Sequence, residues 1–170
     1  MDANALRALQ APLKERYKQD PNTALVTFEA RATLDDARIA CHVETKKSGV
    51  VLAGLHPAAG GTGAEACSGD LLMEALVACA GVTLKAVATA MEIPLRAGRL
   101  RVEGDVDFRG TLGVDRTAPV GFRAIRLIVE LDTDAPQEKL EKLVQLMERY
   151  CILFQTLAGK PELSVKLARV

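Results

Sequence analysis

The chain has 170 residues, 49% of them apolar, enough for one domain with a real core built of Leu, Val, Ile and Ala rather than aromatics. Its 22 basic and 22 acidic residues cancel and lie scattered, so no basic stripe points to nucleic acid or an anionic membrane as partner. Four cysteines are too few for a stapled secreted scaffold, the N-terminus lacks an apolar signal-type core, and no uninterrupted apolar run reaches the roughly 18–20 residues of a membrane span. These features predict a soluble, cytoplasmic protein.

Leu6, Leu9, Leu13 and Tyr17 fall at near-helical spacing and predict a helical extension over residues 1–20, broken or restarted at Pro12. Residues 25–28 and 39–43 are β-prone runs, and Asp35-Asp36 between them suits a hairpin turn. A third strand is expected at residues 50–52, followed by a Gly-rich loop over 56–69.

Residues 70–93 form the most apolar segment, too long for a strand, and predict a helix. Ser68 is a candidate N-cap, Asp70 suits the positive first turn, and Pro94 and Gly98 end the helix. Steps of 100° place Leu72, Ala75, Leu76, Val82, Ala86 and Ala90 around Cys79, with only a narrow polar stripe opposite. A largely buried helix is expected, with Cys79 on its apolar face.

Two alternating strands follow, one carrying Leu100, Val102, Val106 and Phe108, the other Ile125, Leu127, Val129 and Leu131. Residues 110–121 connect them. Asp134 followed by Gln137 reads as a capping box opening a second helix. Its apolar stripe is Leu140, Leu143, Val144 and Met147, and Cys151 lies one turn further along. A last strand is expected over residues 163–170. The order of elements predicts an α+β fold with antiparallel sheet, residues 1–170 forming a single domain.

Two cysteines on the inward stripes of two helices sharing one core are the candidate chemistry. They read either as a redox pair, which needs Cα atoms about 4.4–6.8 Å apart, or as two unrelated core residues. Cys67, just before the buried helix, is a reactive thiol or a plain loop residue. Cys41, His42, His56 and Cys67 lack zinc-ligand spacing, and the glycines at 60, 61 and 63 form no phosphate-binding motif. No cofactor or metal is expected.

The segment CSGDLLMEALVACAGVTLKAVATAMEIPL, followed after two strands by LMERYCILFQTL, resembles the osmotically inducible protein C / organic hydroperoxide resistance (OsmC/Ohr) family. Cys79 matches the first cysteine of that family's helix motif, and Cys151 matches the cysteine of its later E-R-C-P-V. The resemblance implies antiparallel sheets wrapped around two central helices, in an intertwined homodimer with active sites at the subunit interface. It implies a peroxidase: Cys79 attacks an organic hydroperoxide as a thiolate, Cys151 resolves the sulfenic acid, and a dithiol, lipoyl in relatives, restores both. A thiol among aliphatics needs a nearby cation to ionise. The family uses an arginine from its N-terminal strands, which makes Arg31 or Arg38 the candidate, Arg31 being favoured because it lies in the strand-like run. Asp70 stands where the family has a Glu, and Ile152 where it has a Pro. The alternative within the same fold is a protein that binds a small apolar or acyl ligand, with the cysteines as lining residues.

Overall fold

Asp2 opens the first helix, α1 (Ala3–Gln19), by accepting the Ala5 N–H at 2.8 Å. Pro12 lies inside this helix rather than breaking it. The stretch is exposed, so water can serve the carbonyl that the proline leaves without a donor. The structure, a computed structural model, describes residues 1–46 and 49–169.

Strands β1 (Arg31–Leu34), β2 (Ala40–Thr45), β3 (Gly49–Gly54) and β4 (Ala66–Cys67) form one sheet in that order. The expected hairpin forms, but its first strand is residues 31–34 and not 25–28. The turn sets this register. The Asp35 carboxylate accepts the N–H groups of Ala37 and Arg38 at 3.0 and 2.9 Å, which pairs Leu34 with Cys41. Residues 25–28 belong to no strand, and Phe28 is left 81% exposed. The short β4 runs parallel to β3, so the sheet is not wholly antiparallel.

Helix α2 (Ser68–Ala90) is capped in position by Cys67, not by Ser68. A second sheet follows, the antiparallel pair β5 (Ala97–Val106) and β6 (Phe122–Asp132), joined through the single turn α3 (Phe108–Thr111). Helix α4 (Gln137–Tyr150) begins after Pro136 without a side-chain cap. The expected capping role of Asp134 is overturned: the Arg96 guanidinium binds Asp134 and also Asp132, the latter at 2.5 Å. A fifth helix, α5 (Ile152–Gly159), follows at once, with Cys151 as the joint between the two. Residues 163–169, expected as a strand, pair with nothing among the described residues, and Val170 lies outside them.

The core gathers Leu76, Ala80, Leu84 and Ala88 from α2, Leu143 and Met147 from α4, and Cys151. The inner faces of β5 and β6 close it with Leu100, Val102, Ile125, Leu127, Val129 and Leu131. Burial on α2 recurs every four residues, which marks a single stripe. The helix is therefore less buried in one chain than its composition suggests, and Val82 stays 74% exposed. By length and composition α2 would also suffice to cross a membrane, yet its buried stripe packs against α4 and β5.

Candidate active site

Helix α2 and the α4–α5 joint bring the two predicted thiols together. Cys79 sits half-buried on α2, beside the buried stripe. Cys151 is fully buried where α4 ends and α5 starts. Both belong to the core that α2 shares with α4 and α5.

The surroundings treat the two sulfurs differently. Burial pushes the Cys79 thiol up, but the Leu153 N–H, the Cys151 thiol, the Ile152 N–H and the Thr83 hydroxyl outweigh it. Cys79 therefore ionises below the ordinary thiol range. Burial pushes the Cys151 thiol up as well, and the adjacent Cys79 sulfur adds to this, so the Phe154 and Leu153 amides do not compensate. The Cys79 sulfur is thus shifted toward ionisation and the Cys151 sulfur away from it.

The other predicted site residues lie elsewhere. Arg31 is exposed and pairs with Glu29 at 2.9 Å; Arg38 pairs with Asp35 at 2.8 Å, alongside His42. Within the chain neither guanidinium is brought to Cys79. Asp70, in the first turn of α2, lines an open cavity of about 670 Å³ with Cys67, His56, Met73, Phe108 and Phe122, and Cys79 is not part of that lining. Among the described residues no group of three or more His, Cys, Asp or Glu converges on a metal position.

Sequence reasoning did not single out Thr83 or the amides of Ile152 and Leu153, which lower the Cys79 thiol. Thr83 carried a signal, since it stands one turn after Cys79 on the same helix. The amides carried none, because a main-chain donor is invisible until the chain reversal at Cys151 is known.

The domain is α+β, with Cys79 and Cys151 in the core that its central helices share. The model of the family described as OsmC-like protein matches residues 61–166, and the chain belongs to that family. No curated protein matches the chain. Among solved structures it is similar to an OsmC-like protein from Mycoplasma pneumoniae, with a TM-score of 0.64 at 18% identity over 79% of this chain and 89% of that one. It is also similar to an organic hydroperoxide resistance protein OsmC from Legionella pneumophila, with a TM-score of 0.62 at 23% identity, covering 79% and 91%. A third likeness is the organic hydroperoxide resistance protein OhrB of Bacillus subtilis, with a TM-score of 0.55 at 22% identity, covering 78% and 93%. At these identities the likeness is one of fold.

Proposed function

We propose that this chain is a thiol-dependent peroxidase that reduces organic hydroperoxides in a redox or stress response. The observation that carries the reading is that Cys79 packs against the core cluster containing Cys151, with one thiol driven toward ionisation and the other away from it. The names of the Legionella and Bacillus structures, which concern organic hydroperoxide resistance, support the substrate class.

The Cys79 thiolate attacks the distal oxygen of ROOH. The O–O bond breaks, Cys79 becomes a sulfenic acid, and the leaving alkoxide takes a proton to depart as an alcohol. The Cys151 thiol, losing its proton, then attacks the sulfenic sulfur and expels water, leaving a disulfide. An external dithiol, for which a lipoyl group is the family's example, gives two electrons and two protons and is itself oxidised to a disulfide. Leu153 and Phe154, which pack against the same apolar cluster as Cys79, suit an alkyl over a bare hydrogen peroxide. We further propose that the protein works as a homodimer in a reducing, cytoplasmic setting. Only a second chain can then bring an arginine such as Arg31 near Cys79.

Treating the reduced protein with cumene hydroperoxide should yield one Cys79–Cys151 disulfide per chain by peptide mass spectrometry. Cys151→Ser should halt at a Cys79 sulfenic acid that dimedone captures. A folded wild type that keeps both thiols free after that treatment sinks the proposal. The separate cavity at Asp70 keeps a second reading in view, that of a small apolar or acyl ligand-binding protein. A ligand that co-purifies and survives Cys79→Ser would favour it.

A further inference from the structure

Between the first turns of α2 and the C-terminal half of β5 lies the open cavity of about 670 Å³. Small-molecule sites run from roughly 300 to 1,000 Å³, so this one has room for a ligand. Met73, Val102, Val106, Phe108 and Phe122 give it an apolar wall. Asp70, Glu74 and Asp105 add carboxylates, and among the described residues no Lys or Arg lines it.

Both aromatic walls are fixed by the fold. The Phe122 ring fills the space that a side chain at Gly104 would need: a Cβ there would stand 2.5 Å from the ring and 3.1 Å from the Met73 sulfur. Phe108 is held by the His56 ring, stacked on it with centroids 5.0 Å apart at 21°. The His56 Nδ1 accepts the Ala58 N–H at 3.0 Å, which only the uncharged ring can do at that nitrogen. His56 therefore brings no cation to the carboxylates.

Those carboxylates are not equivalent. Arg126 holds Asp105 at 2.5 and 2.9 Å. Asp70 and Glu74, both exposed and one turn apart on α2, have no ion pair or hydrogen bond among the described residues. Like charges at this spacing repel. The positive end of α2 accounts for Asp70 in its first turn, but that field has faded by Glu74 in the second. Elsewhere the chain meets its acids with arginine, as at Asp35, Asp107 and Asp132. Here it does not.

We propose that this cavity binds a small organic cation, an amine on an aryl or alkyl body. The ammonium sits between Asp70 and Glu74, and the body lies against Met73, Phe108 and Phe122. Cβ atoms one helical turn apart are about 5–6 Å from each other, so one ammonium with three donors can serve both carboxylates. Aromatic rings add their own attraction for a cation. A carboxylate on the same body would meet two like charges, so the site selects against anions. The inference does not rest on the peroxidase reading, because neither Cys79 nor Cys151 lines the cavity.

Phenylbutylamine, phenylbutanol and phenylbutyrate differ only in the charge they carry at one end. Titrated into the reduced full chain and followed by saturation-transfer NMR, the amine should bind, the alcohol about tenfold more weakly, and the carboxylate not at all at millimolar concentration. Asp70→Asn with Glu74→Gln should bring the amine down to the affinity of the alcohol, with circular dichroism and alcohol binding unchanged. Phe108→Ala should weaken amine and alcohol alike. Glu29→Gln with Glu44→Gln, which removes two acids outside the cavity, should change nothing. Amine binding that survives the Asp70 and Glu74 double variant overturns the proposal, as does equal affinity for the three probes. So does an amine that fails to bind at millimolar concentration, the result expected if a second copy of the chain seats an arginine on these acids.

Discussion

Cys79 ionises more readily than a free thiol and Cys151 less readily, and folding stability must reflect both. A group whose folded value is lowered adds stability that is present above its unfolded value and lost as pH falls through the folded one. The stability difference between wild type and Cys79→Ser should therefore grow in favour of wild type as pH rises through the Cys79 range. It should level off above the ordinary thiol value of about 8.5. Urea denaturation in a pH series measures this, and a flat or inverted difference contradicts the assigned direction. At this scale the two sulfurs were legible because each lies on an apolar stripe. The place of the candidate arginines was not. The search was for a distant cation, and both arginines instead sit on carboxylates two or three residues away, which spacing along a strand and turn does not reveal.

Helix α4 shows how a local rule loses to a long-range partner. Asp134 and Gln137 have capping-box spacing, but Arg96, far away in the chain, takes Asp134 together with Asp132. The apolar stripe of α4 read correctly, since Leu143 and Met147 are almost wholly buried. Leu143→Ala should cost about 2–5 kcal/mol in chemical denaturation, because the site is enclosed by α2 and the sheet and cannot collapse. A loss well under 1 kcal/mol would show that this face is not the core. The start of α5 escaped the sequence because Cys151 continues the stripe of Met147 at helical spacing. The extended backbone at Cys151, which ends one helix and begins the next, leaves no mark in that pattern.

The largest gap between sequence and structure concerns what covers the apolar surface. Alternation in residues 163–169 reads as a strand, yet Leu163, Val165 and Leu167 are at least 88% exposed and unpaired. Val82 on α2 and Leu25, Val26 and Phe28 before β1 are exposed too. A period of two says which side of a strand is apolar, not which chain supplies its neighbour. A second copy is the expected answer. Light scattering behind size exclusion should give twice the 18.2 kDa chain mass, and Val165→Glu with Leu167→Glu should shift the species toward monomer. A monomer throughout the micromolar range would reject the dimer.

The joint at Cys151 has a thermodynamic meaning beyond its chemistry. A bond from there to Cys79 closes a loop of roughly 70 residues that carries β5, β6 and α4, and loop-closure entropy assigns such a cross-link about 4 kcal/mol. That is a sizeable share of the 5–15 kcal/mol that holds a typical domain together. Each oxidation would then lengthen the lifetime of the fold, and each reduction would shorten it. The chain would register oxidant exposure as resistance to unfolding and proteolysis, persisting longest in the state that awaits its reductant.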